Sequence, residues 1–205
     1  MRPTLRLALF LLLACAAIAI FSTAACAQQI DVAGGGATFF APSASGATGN
    51  HQNQSLDGGT YPVISADFLF FKNRTVGVEG EFSWRLGQSV YAPGGLDLDY
   101  RPLFYNVNAI WVAKVTKRFS LEVLGGMGAQ STRFYTGSGY AASNHLLFDG
   151  GGGIKFYAWR HFFFRPEARY YVINNNLEFS SSHALRYGAS IGYTFRQRKD
   201  KAPQP

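Results

Sequence analysis

An eight-stranded antiparallel transmembrane β-barrel, an all-β up-and-down meander, is the fold class that this 205-residue sequence predicts. Three observations predict it. Eight stretches of about ten residues alternate apolar side chains with polar or small ones. The links between those stretches alternate short and long. The charges inside them gather on the face opposite the oily residues.

The first 27 residues read as an address. Arg2 and Arg6 make a positive n-region, Leu7 to Phe21 an apolar h-region, and Ala25-Cys26-Ala27 a small-x-small cleavage pattern. The apolar run is shorter than the roughly 20 residues that a spanning helix needs. Thr23-Ala24-Ala25 is a poor lipobox, which disfavours Cys26 as a lipoprotein acceptor. The expected organisation is therefore a signal peptide over 1–27, an outer-membrane barrel over 28–195, and a short periplasmic tail over 196–205. Both cysteines, Cys15 and Cys26, leave with the signal, so no disulfide framework or thiolate metal site is expected. Loss of Arg2 and Arg6 lowers the net charge from +7 to +5, and several of the remaining cations lie in the tail. No basic face is left for nucleic acid.

The strands are expected at 30–40, 60–71, 75–84, 103–115, 119–131, 146–158, 162–173 and 183–195. Lys72-Asn73-Arg74, Thr116-Lys117-Arg118 and Trp159-Arg160-His161 are three-residue links suited to tight hairpins. The links 41–59, 85–102, 132–145 and 174–182 are long. Strict alternation puts the short turns and both termini on one rim and the long loops on the other, the asymmetry of bacterial outer-membrane barrels.

Parity then separates the two faces. In 75–84 the even positions are Val76, Val78, Gly80, Phe82 and Trp84; the odd ones include Glu79 and Glu81. With each outer face assigned from aliphatic and aromatic residues alone, twelve strand charges fall on the inner face. They are Asp31, Asp67, Glu79, Glu81, Lys114, Glu122, Asp149, Lys155, Arg165, Glu167, Arg169 and Arg186. A lipid-facing Arg or Lys costs roughly 2–4 kcal/mol at the midplane, which explains the split. A soluble ligand-carrying barrel would have an oily interior, and a β-sandwich would not put ionisable groups on its core face. Lipid offers no partner to an open strand edge, so closure follows. Pro166 has no N–H to give, and a bulge or missing ladder bond is expected beside it, with the Gly150–Gly153 run absorbing the kink.

The short turns also fix registers. A turn centred on Asn73 sets Asp67 opposite Glu79, beside Glu81; one centred on Arg160 sets Lys155 opposite Arg165, below Arg169. Like charges directly opposite are destabilising and call for counter-charges. In eight strands these two clusters face one another across a lumen only wide enough for side chains to meet. The expectation is a lumen ion-pair network of Asp67, Glu79, Glu81, Lys155, Arg165, Glu167, Arg169 and Arg186, plugging the barrel.

On topology, alternation and the last strand, the chain resembles the OmpA/OmpX-like outer-membrane β-barrel superfamily in its single-domain form. Gly188-Ala189-Ser190-Ile191-Gly192-Tyr193-Thr194-Phe195 is similar to the insertion signal read by the barrel assembly machinery, with Tyr193 and Phe195 as its alternate aromatics. Ser190 stands where glycine is usual, and ten residues follow Phe195. The resemblance implies residence in the bacterial outer membrane among lipid and lipopolysaccharide and a structural or surface-interaction role; no cofactor is expected.

Catalysis is the weaker reading. His183 follows Ser180-Ser181-Ser182 with Glu178 nearby, but the lipid A deacylase pattern needs a serine two residues after the histidine, where Leu185 stands. His51, His145 and His161 have no ligand-like spacing, and Asp97 and Asp99 read as a solvated loop. Trp84, Trp111, Trp159, Tyr170 and Tyr193 read as interface-girdle anchors. The chain is therefore expected to be a monomeric, non-enzymatic barrel that meets surface ligands through 41–59, 85–102, 132–145 and 174–182. A narrow gated porin-like channel is the first alternative, and a lipid A-modifying enzyme the second.

Overall fold

The strands are β1 (Gln29–Phe40), β2 (Gly58–Phe70), β3 (Val76–Trp84), β4 (Ser89–Tyr91), β5 (Leu98–Lys114), β6 (Phe119–Thr136), β7 (Gly139–Trp159), β8 (Phe162–Ile173) and β9 (His183–Arg196). The structure, a computed structural model, describes residues 29–41, 58–70, 74–87, 89–91, 98–116, 118–136, 139–159, 161–175 and 182–196. The signal segment, the tail after Arg196 and most of 41–59 and 174–182 lie outside the described residues.

Every neighbouring pair is antiparallel and sequential, and β1 pairs with β9. Both β3 and the three-residue β4 pair with β5, so together they form one wall strand of an eight-stranded closed barrel. The register, followed once round from Asp31 through Asp67, Glu79, Asn108, Gly126, Asp149 and Tyr171, arrives at Ala184. Asp31 itself pairs with Thr194 of that last strand, a stagger of ten residues per circuit. Such a stagger goes with strands tilted by about 35–45°.

The outer strand ends run further than the sequence pattern indicates. Residues 132–136 and 139–145, expected as loop, continue β6 and β7 as a paired ribbon, and 98–102 continue β5. The expected surface loop 132–145 is thus corrected to a ribbon paired as far as Thr136 and Gly139, and the expected loop 85–102 contains β4 and the start of β5. The tail also starts one residue late, because Arg196 pairs with Gln29.

Alternation sets burial along each wall strand. On β3, Gly77, Glu79, Glu81 and Ser83 point inward and are buried, whereas Val76 and Val78 face out. Eleven of the twelve inward charges are buried; Lys114 is the exception, exposed at the periplasmic rim where the barrel wall ends. The β7–β8 ladder keeps one register from Leu147 to Tyr157, shifts between Tyr157 and Trp159, and lacks pairs for Ile154 and Lys155 against Pro166 and Arg165. This is the gap that a missing N–H leaves. On its other side Pro166 still sits opposite Ala189.

The glycine run serves the cations as much as the proline. An ideal Cβ on inward-facing Gly151 would lie 2.3 Å from the Ala168 carbonyl oxygen and 3.0 Å from Arg169 Cγ. Backbone cannot withdraw as a flexible side chain can. Gly151→Ala is therefore expected to cost about 1–3 kcal/mol, read as a lower urea midpoint for the vesicle-inserted barrel. Gly80→Ala, outward-facing with nothing within 4 Å of its Cβ, should leave the midpoint in place; equal effects at the two sites would refute the packing argument.

Candidate functional site: the two-storey lumen

Periplasmic and central levels of the lumen are ionic. Lys155, fully buried, reaches three carboxylates: Asp31 at 2.7 Å, Asp67 at 2.8 Å and Glu122 at 2.6 Å. Its ammonium also lies 4.9 Å from the Phe163 ring centroid. Arg165 spans the barrel to Glu79 at 3.1 Å and Asp67 at 3.4 Å, and donates to Ser65 Oγ at 2.7 Å and Ser190 Oγ at 3.3 Å. Arg169 grips Glu79 through both terminal nitrogens, at 2.7 and 3.1 Å, and meets Glu81 at 2.9 Å and Glu167 at 3.0 Å. Arg186 makes a two-pronged pair with Glu81, at 2.6 and 2.9 Å, and donates to Glu167. Forked guanidinium–carboxylate pairs of this kind combine charge with fixed direction.

Register explains the convergence. Three acids stand side by side on three adjacent strands, Asp31 opposite Asp67 and Asp67 opposite Glu79. Side by side they repel, and the cations that offset them, Lys155, Arg165 and Arg169, come from β7 and β8 across the lumen. All eight sequence-predicted lumen residues lie within one connected web of ion pairs. Sequence reasoning left three members out of that web. Asp31 and Glu122 are bound to Lys155, and Asp149 lies 3.8 Å from Arg169. Each was already on the inward face by parity; the stagger that carries it across the lumen was what the short turns could not supply.

Above the ionic storey, toward the outer rim, the lumen turns apolar. Phe39, Tyr61, Phe104 and Tyr171 are buried and packed ring against ring, with centroids 4.6–6.0 Å apart, among Ala37, Val63, Leu147, Ile173 and Ala184. The inward-facing charges expected from the sequence share the lumen with this aromatic level. Arg186 lies 5.6 Å from the Tyr171 ring and joins the storeys. A smaller apolar group, Leu69, Ile110, Val112 and Leu124, covers the β2–β5–β6 wall lower down.

The other candidate residues are dispersed. His183 stacks on Tyr170 at 5.8 Å, while Glu178, Ser180 and Ser181 lie outside the described residues. His145 pairs with Ser143 Oγ at 3.0 Å, and His161 sits 5.6 Å from the Tyr193 ring. His51 and Asp97 fall outside the described residues, and Asp99 is exposed. Among the described residues no group of three or more His, Cys, Asp or Glu could hold a metal ion. Trp111, Trp159 and Tyr170 face outward and exposed, and Tyr193 packs against Phe162 and Phe195 at 4.9 and 4.7 Å on the same outer surface.

The family model described as outer membrane protein beta-barrel domain matches residues 13–196. No curated protein matches the sequence. Among solved structures, Ail of Yersinia pestis is 16% identical with a TM-score of 0.55, covering 82% of this chain and 99% of its own. Ail has also been solved in complex with the heparin analogue sucrose octasulfate. Neisserial surface protein A is 11% identical with a TM-score of 0.57, covering 82% of this chain and 96% of its own. OprG of Pseudomonas aeruginosa is 17% identical with a TM-score of 0.53, covering 83% and 97%. At these identities the likeness is one of fold.

Proposed function

Because the chain belongs to the outer membrane protein β-barrel family, we propose that it is a structural, surface-interacting barrel whose lumen is closed to ions. Its location is the bacterial outer membrane. The observation that carries closure is the pair of storeys in series: a permeating ion would have to part the Arg165–Glu79 and Arg169–Glu81 pairs and then pass the Phe39–Phe104 stack. Barrels of eight strands are filled by side chains, and here both charge and aromatic bulk do the filling.

Without a pore, function moves to the outer surface. The segments 41–57, 92–97, 137–138 and 176–181 are the parts offered to a surface ligand. Ail, which has the same fold, takes a sulfated sugar; an anionic surface ligand is the reading extended to this chain. Tyr193 and Phe195 are assigned to recognition by the barrel assembly machinery, and the barrel is taken to work as a monomer among lipid and lipopolysaccharide. A lipid-modifying enzyme is disfavoured because Leu185 stands in the nucleophile's place and His183 is stacked on Tyr170.

Planar-bilayer recording of the purified mature protein tests closure. The parent should give no steady conductance. Arg165→Ala and Glu79→Ala should stay silent too, because each leaves the aromatic storey intact. Steady, ohmic current through the parent would overturn the reading and restore the narrow-channel alternative.

A further inference from the structure

Two arginines on the outer wall lack what arginines on a barrel wall normally have. Arg101 of β5 and Arg133 of β6 are direct cross-strand partners, and both lie on the outward parity of their strands with Tyr105, Val107 and Trp111. Like charges directly opposite are destabilising by themselves. Among the described residues neither guanidinium has an ion-pair partner, although Asp99 shares the face two positions away. The Arg101 Nε is buried without a hydrogen-bond partner. Arg133 is held over the Tyr140 ring at 5.2 Å, with Tyr135 beside it, so its orientation is fixed.

Height decides what can meet them. Arg101 and Lys114 lie thirteen positions apart on β5, which at about 3.3 Å per residue and a tilt of roughly 35–45° separates them by about 30–35 Å along the membrane normal. The apolar band of such barrels is about 25 Å tall. With Lys114 at the periplasmic rim, Arg101 and Arg133 stand just above the hydrocarbon, at the headgroups of the outer leaflet. They face sideways, toward neighbouring lipid and away from the lumen and the loop tips.

We propose that Arg101 and Arg133 form a seat for the phosphate of an outer-leaflet lipid, the phosphorylated glucosamine end of lipopolysaccharide. Two planar forks on one face, one of them stacked on Tyr140, suit the oxygens of a phosphate monoester, which Arg binds in bidentate fashion. The lipid's acyl chains then lie along the Tyr105–Val107 wall below. This seat is separate from the surface-ligand reading of the loops and stands whether or not the lumen conducts.

Native mass spectrometry of the detergent-purified mature barrel, incubated with bis-phosphorylated lipid A or with its fully dephosphorylated form, tests the seat. The parent should retain the phosphorylated lipid at least tenfold better. Arg101→Gln/Arg133→Gln should erase that preference while keeping the parent's β-sheet circular dichroism. Arg74→Gln/Arg118→Gln, the same charge loss at the periplasmic turns, should keep the preference. Equal retention of the two lipids by the parent, or an undiminished preference in Arg101→Gln/Arg133→Gln, overturns the proposal. A matching loss in the periplasmic double variant also overturns it, because net charge would then suffice.

Discussion

Lys155→Met is expected to destabilise the barrel by about 3–5 kcal/mol, the cost of breaking a buried ion pair by removing one partner. Among the described residues the ammonium is the only cation within 4.0 Å of Asp31, and it also holds Asp67 and Glu122. Methionine fills much of the same volume, so the loss isolates charge from packing. Three carboxylates would then share a fully buried level, with Arg165 reaching Asp67 at 3.4 Å and Glu122 at 3.8 Å. Urea unfolding in lipid vesicles, followed through Trp84, Trp111 and Trp159, reads the change. Adding Asp31→Asn should recover part of the loss, because one of the stranded charges is removed. A single-variant loss below about 1 kcal/mol would mean that water, not Lys155, solvates these acids.

The ionic storey was legible in outline because a strand has a period of two and a three-residue turn fixes a register. Those two facts place Asp67 opposite Glu79 and point both inward, as the ladder has them. Height across the lumen is a different quantity. It depends on the ten-residue stagger, which no single hairpin carries, and so the link from Lys155 to Asp31 could not be drawn from neighbouring strands alone. The aromatic storey was hidden for another reason. Phe39 and Phe40, or Tyr170 and Tyr171, are adjacent, and one of each pair faces in while the other faces out; an apolar doublet leaves parity undecided. The β6–β7 ribbon was missed because on its β7 half, from Gly139 to Asn144, both parities are exposed or half-buried. Ala141-Ala142-Ser143-Asn144-His145 therefore has no oily alternation to read, yet it pairs residue for residue with Gln130–Phe134.

The inversion of the barrel makes a depth-dependent prediction that a soluble protein could not mimic. Val107 faces outward, 62% exposed, six positions along β5 from Arg101 and seven from Lys114, near the middle of the apolar band. Val107→Arg is expected to cost roughly 2–4 kcal/mol, because the guanidinium must be drawn into hydrocarbon or drag water and headgroups with it. Leu103→Arg, on the same face but two positions from Arg101, should cost only about 0–1 kcal/mol near the headgroups. Both substitutions remove an apolar side chain and add the same charge, so their difference reports the surroundings rather than the residue. Urea titration of the two variants in vesicles of one lipid composition measures that difference directly. If Val107→Arg and Leu103→Arg cost the same, the wall is not graded by depth. The buried charges would then owe their inward placement to something other than the solvent outside.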